Sequence, residues 1–382
     1  MITTSSDYKT IRIVSLMITH SCNLNCVYCF EKHKDFGKRM MSFETAKEVL
    51  QKEFDLFKTM ERESNDRLAI EFFGGEPMMN FELIKMVYEW VKGLDLPFPM
   101  MFQATTNGTL LTESALEWFT SVKNDFRIVV SIDGDELMHA ANRGVSMSKI
   151  PTDYIVKNWP NSYFKMTISK ETLPRFSQGV IELTTKGYRV TSSLAEGIDW
   201  DKNDANTYKQ ELLKIASFYL ENPQYKIEQP FDLTFDKLRY DTDVPPKNCG
   251  VGTKTLIYDT DGQSYPCHLF VPVVHGQENV RKVVDTIDFY DDKCMINDHC
   301  LKCSINKLCR TCYGYNYLDR GDIKSRNLTK CKMLLAELQI ISSFQVQYFM
   351  QRKESLNLND IEKLSDALSA YELLHNTEFD FD

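Results

Sequence analysis

The feature that most restricts the fold of this chain is an alternation of strand-like and helix-like segments over residues 10–220. Runs rich in β-branched and aromatic residues cover residues 11–19, 68–73, 100–105, 128–132, 164–168 and 188–194. Helical patterns lie between them, at about residues 42–61, 81–92, 113–122, 171–186 and 205–219. Such repeats predict a parallel sheet covered by helices. We therefore predict an α/β fold built from six or so β/α units.

Three cysteines directly follow the first predicted strand. They stand in the segment Cys22-Asn-Leu-Asn-Cys26-Val-Tyr-Cys29, with the spacing C-x3-C-x2-C. Iron–sulfur clusters are normally held by four thiolates, so a three-thiolate loop would leave one iron open to a small molecule. A zinc knuckle is the alternative, because zinc also binds thiolates. However, residues 30–248 contain no cysteine that could complete a zinc site.

Short polar motifs follow three more predicted strands. They are Gly74-Gly75-Glu76-Pro77, Thr105-Thr106-Asn107-Gly108 and Ser131-Ile132-Asp133-Gly134. Each alone is an ordinary turn sequence, since Gly and Asn-Gly are common in turns. In parallel β/α barrels, however, reactive groups lie at the C-terminal ends of strands. We therefore expect these motifs and the cysteine loop to converge on one face.

Taken together and in this order, the motifs resemble those of the radical SAM superfamily. Its signature is the spacing C-x3-C-x2-C with an aromatic residue before the last cysteine, here Tyr28. The resemblance implies a partial (β/α)6 radical SAM barrel in which Cys22, Cys26 and Cys29 hold a [4Fe–4S] cluster. The open iron of that cluster would bind the amino and carboxylate groups of S-adenosyl-L-methionine. Electron transfer would then release a 5′-deoxyadenosyl radical.

The resemblance also implies which residues contact S-adenosylmethionine. The expected contacts are Tyr28, Gly74, Gly75, Glu76, Pro77, Thr106, Asn107, Ser131 and Asp133. In the family the Gly-Gly-Glu-Pro segment holds the methionyl amine, and the Ser and Asp of the S-x-D-G segment lie near the ribose hydroxyls. His139 and Arg143 match the H-x3-R spacing that often follows this segment, although either residue could simply be structural.

A second group of cysteines lies beyond residue 248. Its members are Cys249, Cys267, Cys294, Cys300, Cys303, Cys309, Cys312 and Cys331. Their spacing resembles the SPASM domain of peptide- and protein-modifying radical SAM enzymes, C-x(9–15)-G-x4-C, then C-x2-C-x5-C-x3-C, then a final C. Here 12 residues separate Cys249 from Gly262, as the pattern requires. The chain departs from the pattern at Cys312, because two residues rather than three separate it from Cys309.

The SPASM resemblance implies two auxiliary clusters, and so three [4Fe–4S] clusters in all. By the family's order the first auxiliary cluster is held by Cys249, Cys267 and Cys312, and the second by Cys300, Cys303, Cys309 and Cys331. The first set has three ligands, so Cys294 or another group completes it, or one iron stays open. A zinc ribbon is the alternative for residues 300–312, because paired C-x2-C units are typical of such sites.

Charge and composition narrow the setting of the protein. A net charge of −9 argues against a nucleic-acid-binding surface, which would be basic. Residues 333–350 read as an amphipathic helix rather than a membrane span. Eleven cysteines in a chain without a signal peptide favour metal binding over disulfides. We therefore expect a cytoplasmic protein that binds neither nucleic acid nor membrane.

These patterns predict a division of the chain into four parts. We expect the radical SAM barrel in residues 1–220, a linker in residues 221–248, the SPASM domain in residues 249–335, and helices with an acidic tail in residues 336–382.

The resemblance implies a peptide or protein substrate and a flavodoxin- or ferredoxin-type reductant. We expect cross-linking of a ribosomally made precursor peptide by a thioether, carbon–carbon or ether bond, with the auxiliary clusters removing one electron. The alternative enzymatic function is anaerobic sulfatase maturation, which makes formylglycine. The alternative without enzymatic activity is a degenerate iron–sulfur partner protein. Only 21 residues precede Cys22, so we expect a separate leader-binding protein or binding by the sheet edge or helices.

Other polar residues are weaker candidates for catalysis. Asp199 and Asp201 follow the last predicted strand and could take a proton from substrate, but a loop that caps the next helix is the simpler interpretation. Tyr313, Tyr315 and Tyr317 alternate as in a strand and are expected to pack rather than to carry a radical. His268 directly follows Cys267 and is expected to support a cluster rather than to bind iron.

Overall fold

The computed structural model describes residues 9–31, 39–240, 247–377 and 379. Within this part of the chain, one eight-stranded sheet has the order β6-β5-β4-β3-β2-β1-β7-β8. Its strands are β1 (Lys9–Thr19), β2 (Asp66–Gly74), β3 (Met100–Thr106), β4 (Phe126–Ser131), β5 (Phe164–Ile168), β6 (Val190–Leu194), β7 (Thr255–Tyr258) and β8 (Ser264–Tyr265). All neighbours are parallel except β7 and β8. The predicted α/β fold with a parallel sheet is confirmed.

Helices follow the strands of this sheet. They are α1 (Phe43–Thr59), α2 (Phe81–Lys92), α3 (Glu113–Ser121), α4 (Glu136–Arg143), α5 (Thr152–Asn158), α6 (Phe176–Thr185), α7 (Lys202–Glu221), α8 (Pro272–His275), α9 (Gln277–Val284), α10 (Asp298–Leu301), α11 (Tyr313–Arg320), α12 (Leu328–Met350) and α13 (Leu358–Asn376). Helix α1 shows why they form. The Ser42 hydroxyl accepts the Thr45 N–H at 3.0 Å, and Val49, Leu50 and Phe54 recur at helical spacing on the buried face.

The two faces of the sheet have different chemistry. Phe72 on β2 and Phe102 on β3 both stack on Phe126 of β4, with ring centroids 5.8 Å and 5.9 Å away. All three are buried, and each contributes roughly 1.5–3 kcal/mol to stability. Because side chains alternate along a strand, Glu71 and Gln103 face the opposite side. The outer face is therefore an aromatic core, and the inner face carries polar groups.

Three local predictions need correction. Helices α4 and α5 were not predicted, because each is only seven or eight residues long. Helix α6 begins at Phe176 rather than near residue 171, because a short 3₁₀ turn that contains Pro174 precedes it. The strand-like reading of residues 313–317 is wrong, since these residues lie in α11. Aromatic strand propensity misled the prediction there, whereas Tyr313 and Tyr315 are both buried within the first turn of α11.

The sheet also extends beyond the six predicted strands. Strand β7 pairs in parallel with β1, so residues from the cysteine-rich part of the chain join the barrel sheet. Strand β8 then pairs with β7 and forms the edge. The predicted boundaries of the four parts remain predictions, but the sheet is shared between two of them.

The C-terminal segment forms two helices, as predicted, although α12 already begins at Leu328. It packs on α7, where the Phe344 and Tyr219 ring centroids lie 6.2 Å apart, and on the segment after α7, where Phe344 meets Phe231 edge-on at 5.2 Å. The Gln345 amide donates to the Phe231 and Leu233 carbonyls at 2.9 Å and 2.7 Å. The predicted acidic tail lies outside the described residues except Phe379. Among described residues, no helix is long and apolar enough to cross a membrane.

Candidate functional site

The cysteine loop leaves the end of β1 and is held there by backbone hydrogen bonds. The Gly75 N–H donates to the Thr19 carbonyl at 3.0 Å, and the Glu76 N–H donates to the Ser21 carbonyl at 2.8 Å. The three thiols of the loop lie within electrostatic range of one another, and burial is the main cause that raises the pKa of Cys22 and Cys26. The structure therefore brings Cys22, Cys26 and Cys29 together beside the Gly-Gly-Glu-Pro segment.

The two glycines of that segment are required by close packing against the cysteine loop. Gly74 has φ of +152°, and a Cβ built there would lie 2.3 Å from the Thr19 carbonyl oxygen. A Cβ on Gly75 would lie 2.4 Å from the Ser21 carbonyl oxygen and 3.0 Å from the Cys22 Cβ. No side chain fits at either position without moving the loop that carries the cysteines.

Glu76 links this segment to the Thr-Asn-Gly turn after β3. Its carboxylate accepts the Thr106 hydroxyl at 2.6 Å, the Asn107 N–H at 2.8 Å and the Met78 N–H at 3.1 Å. Glu76 is almost fully buried, and burial raises the pKa of its carboxyl group although the three donors oppose that shift. The Asn107 amide in turn donates to the Asn23 side chain at 2.9 Å. The cysteine loop and two strand ends thus form one hydrogen-bonded cradle.

Asp133 holds the other side of the cysteine loop. Its fully buried carboxylate accepts the Tyr28 hydroxyl at 2.6 Å, the Thr167 N–H at 2.8 Å, and Arg143 Nε and Nη2 at 2.8 Å and 3.1 Å. The Asn142 amide adds a donor at 3.3 Å. Both carboxylate oxygens are therefore engaged by the protein. This geometry favours a positioning role for Asp133, and the predicted contact with ribose stays a prediction.

Neighbouring residues complete this side of the cradle. The imidazole Nδ1 of His139 accepts the Asp133 N–H at 3.2 Å. Burial and the charge of Arg143 lower the pKa of His139 to about 4, so this ring is neutral near pH 7. Ser131 is mostly buried at the end of β4, opposite Lys165 in the sheet register. The H-x3-R residues thus serve the structure around Asp133.

The C-terminal cysteines fall into two groups. Burial is the main cause that raises the pKa of the Cys267 thiol, and the nearby Cys312 and Cys249 raise it further. Cys249 also lies within range of Cys312. Cys331 is close to the remaining thiols, and burial is the main cause that raises its pKa to about 12. The second group consists of Cys300, Cys303, Cys309 and Cys331. Cys294 instead directs its thiol to Asp291 Oδ2 at 3.7 Å.

All eleven cysteines are thiols rather than disulfides. In the described part of the chain, no three His, Cys, Asp or Glu side chains converge closely enough to hold one metal ion. The thiolates of a four-iron cluster bind different irons and therefore lie farther apart than the ligands of a tetrahedral zinc. The two auxiliary ligand sets stay a prediction.

The carboxylates after β6 have mixed environments. Asp201 caps α7, accepting the Asn203 N–H at 2.7 Å and the Asp204 N–H at 3.1 Å, and Asp204 completes a capping box. Lys170 pairs with Asp201 at 2.9 Å. Asp199 lines a cavity of about 380 Å³ between the end of β6 and the cysteine-rich region. The capping interpretation therefore describes Asp201, whereas Asp199 remains near open space.

A polar network on the inner face of the sheet was not predicted as a site. Glu71 accepts the Ser15 hydroxyl and the Gln103 amide, the latter at 2.9 Å, and lies 3.3 Å from His268 Nε2. Burial alone would raise the pKa of Glu71, but His268 and the other partners lower it to about 2. Burial lowers the pKa of Lys165 nearby. A charged residue inside an otherwise apolar strand was the sequence signal for both.

Residues 16–144 match the family model of the radical SAM superfamily. The chain is 25% identical over 264 residues to the radical SAM cyclopropyl synthase TigE of Paramaledivibacter caminithermalis, covering 65% of this chain and 54% of TigE. It is 23% identical over 291 residues to a cysteine-type anaerobic sulfatase-maturating enzyme of Clostridium novyi, covering 69% and 75%. An uncharacterised protein of Methanocaldococcus jannaschii is 27% identical over 184 residues, covering 46% and 60%. The chain thus spans little more than half the length of TigE and of the archaeal protein.

Solved structures show the same fold. The sulfatase-maturating enzyme anSMEcpe, with bound AdoMet and a peptide, has a TM-score of 0.65 at 16% identity, covering 91% of this chain and 100% of that chain. SuiB of Streptococcus suis, bound to its precursor peptide SuiA, has a TM-score of 0.54 at 15% identity, covering 85% and 76%. This chain therefore carries a radical SAM domain within the fold of these proteins, and such a domain implies a [4Fe–4S] cluster and S-adenosylmethionine.

Proposed function

We propose that this radical SAM chain is an enzyme that modifies a ribosomally made precursor peptide. It removes a hydrogen atom from one residue and forms a thioether, carbon–carbon or ether cross-link. The observation that carries the proposal is the cradle formed by the cysteine loop, Gly74 to Pro77 and the Thr106–Asn107 turn, together with two further thiol groups. A single-cluster radical enzyme has no need of those two groups.

The residues of the cradle fit the cofactors that the domain implies. When bound, S-adenosylmethionine and its cluster supply a 5′-deoxyadenosyl radical, and the auxiliary clusters supply a route for the electron that bond formation leaves behind. We assign Cys22, Cys26 and Cys29 to the first cluster. Glu76 orients the Thr106–Asn107 turn toward the same space, and Asp133 fixes Tyr28 at the loop.

The chain's own residues position the peptide. Glu71, Gln103 and Lys165 lie on the inner face of the sheet, where a peptide side chain would approach the cradle. The carboxylate of Glu71 stays ionised near pH 7 and is shared by several donors, so it orients neighbours rather than accepting a proton. Lys165 lies close enough to Glu71 for their opposite charges to interact. These groups would align a peptide backbone or side chain for attack.

Tyr315 connects the cradle with the first auxiliary thiol group. Its ring is buried, and it lies within electrostatic range of both Cys29 and Cys312. The barrel and the cysteine-rich region thus approach each other at Tyr315, which also lines the cavity between them. This proximity supports our assignment of three [4Fe–4S] clusters to one reaction, the second auxiliary set being Cys300, Cys303, Cys309 and Cys331.

The test is anaerobic turnover of the reconstituted and reduced enzyme with short peptides encoded beside its gene. We expect 5′-deoxyadenosine together with a peptide that has lost two hydrogen atoms, and tandem mass spectrometry should locate a bond between two side chains. Absence of 5′-deoxyadenosine under every reducing condition would instead favour a degenerate iron–sulfur partner protein.

Sulfatase maturation is the second candidate. The extent of the structural match favours it, because this chain matches the whole length of anSMEcpe but only about three quarters of the length of SuiB. A sulfatase peptide with an active-site cysteine or serine separates the two functions. Conversion of that residue to formylglycine, with no cross-linked precursor peptide, would establish the second candidate instead.

The remaining assignments belong to the same proposal. We propose a flavodoxin- or ferredoxin-type reductant and a separate leader-binding protein as partners. Reduction of the first cluster by a purified flavodoxin, and co-purification of a small leader-binding protein with tagged enzyme, are the corresponding measurements.

A further inference from the structure

The first auxiliary thiol group lacks a fourth cysteine. Cys249, Cys267 and Cys312 lie together, whereas Cys294 is engaged with Asp291. Iron–sulfur clusters are normally held by four protein ligands. This inference rests on the auxiliary clusters of the proposed function and asks which group of the chain meets the remaining iron.

Glu196 is the carboxylate that the fold brings to Cys312. It lies two residues beyond the end of β6, in the wall of the same 380 Å³ cavity as Cys312 and Tyr315. Gly197 follows it with φ of +73°, and a Cβ there would lie 2.4 Å from Tyr315 Cε1. Because this turn packs so closely on α11, Glu196 is carried to the helix end where Cys312 stands. Glu196 and Cys312 thus line the same space.

Glu196 is held in this wall by an ion pair that it can exchange. Its side chain is 32% exposed and pairs with Lys330, which is 27% exposed and directly precedes Cys331 of the second thiol group. Glu337, which lines the same cavity, is instead committed to Arg310 and to the Tyr208 hydroxyl. The cysteine-rich region therefore supplies a counter-charge for Glu196.

We propose that the Glu196 carboxylate is the fourth ligand of the cluster held by Cys249, Cys267 and Cys312. It exchanges its ion pair with Lys330 for a bond from one carboxylate oxygen to the iron that the cysteines leave open. A carboxylate is a harder ligand than a thiolate, so this bond is the weakest of the four. A substrate sulfur or amide can displace it without loss of the cluster.

The experiment isolates the auxiliary clusters in full-length protein that carries the Cys22/Cys26/Cys29 triple alanine substitution. This background removes the other open iron. Glu196→Gln is compared with Lys330→Met, which removes the ion pair but keeps the carboxylate, and with Asp319→Asn. Asp319 lines the same cavity and pairs with Arg320, so it is the matched control. The measurements are iron content, reduction potential and binding of ¹³C-labelled cyanide followed by electron–nuclear double resonance.

We expect Glu196→Gln to bind cyanide at least tenfold more tightly than the background protein, while Lys330→Met and Asp319→Asn match the background. Glu196→Cys should yield a four-thiolate site that no longer binds cyanide and has a lower reduction potential. Equal cyanide affinity in Glu196→Gln and the background would overturn the inference. So would equal changes in Glu196→Gln and Lys330→Met, because the pair would then act only as a salt bridge.

Iron analysis separates this inference from the proposed function. About eight irons in the triple-alanine background support the two auxiliary clusters, and the cyanide result then decides the role of Glu196 alone. About four irons or fewer would contradict the pair of auxiliary clusters in the proposed function. Iron missing from the Cys249, Cys267 and Cys312 site in particular would remove the inference as well.

Discussion

A single methyl group at Gly75 should disturb catalysis more than folding. In Gly75→Ala the new Cβ would lie 2.4 Å from the carbonyl oxygen of Ser21 and 2.6 Å from the carbonyl carbon of Ser21. Both are backbone atoms, which cannot move aside as a flexible side chain can. The loop next to Cys22 must therefore retreat by about 0.6 Å to reach even a 3.0 Å contact. A misplacement of about 1 Å in an active site can cost about 100-fold in rate.

We therefore expect the kcat/KM for reductive cleavage of S-adenosylmethionine to fall about 10- to 100-fold in Gly75→Ala. This corresponds to about 1.4–2.7 kcal/mol of transition-state stabilisation. The assay is anaerobic formation of 5′-deoxyadenosine with excess reductant, after the iron content has been matched. Gly93→Ala is the control, since its Cβ would meet the Trp90 carbonyl oxygen at an ordinary 3.4 Å. Equal rates in the two variants would refute the argument from close packing.

Three further predictions concern the buried partners of the cradle. Arg143→Met leaves the Asp133 charge buried and unpaired, so the free energy of unfolding, measured anaerobically in urea, should fall by about 3–5 kcal/mol. In the folded protein the pKa of His139 is lowered to about 4, so below pH 6.5 the unfolded chain binds this proton more readily. The free energy of unfolding should therefore fall by about 2 kcal/mol from pH 7 to pH 5, and His139→Gln should lose this dependence. Thr106→Val removes a 2.6 Å hydrogen bond to buried Glu76 and should weaken S-adenosylmethionine binding about tenfold by calorimetry.

Matched controls make these outcomes decisive. Lys92→Met breaks the more exposed pair with Asp125 and should cost less than about 1 kcal/mol. Thr185→Val loses only an exposed helical hydrogen bond and should leave binding unchanged. If Arg143→Met were as mild as Lys92→Met, the Asp133 network would not hold the cysteine loop. An unaltered pH profile in His139→Gln would show that His139 is not the group responsible.

Local patterns predicted the elements that they determine directly. The β-rich runs located β1 to β6 because β-branched and aromatic residues are concentrated in these segments. The range of α2 was predicted without error, since its apolar residues Leu83, Ile84, Val87 and Val91 keep one helical face. The order of the motifs predicted the cradle because parallel strands end on one face.

Long-range and competing effects explain what was missed. Strand β7 joins β1 across about 240 residues, and such pairing leaves no trace in local periodicity. Tyr313 and Tyr315 suggested a strand, but their burial within α11 outweighed their strand propensity. The roles of Asp133 and Glu71 depend on which donors the fold brings to them. The partners of these two carboxylates lie in several strands, helices and loops that are far apart in the sequence, so the spacing of residues along the chain could not reveal them.

The most direct test of the central claim is anaerobic iron and sulfide analysis of the wild-type protein and the Cys22/Cys26/Cys29 triple alanine variant. We predict about twelve irons in the wild type and about eight in the variant, with equal amounts of sulfide. About four irons in the wild type, together with zinc that persists in the variant, would contradict three clusters. The protein would then be a single-cluster radical enzyme with a structural zinc domain.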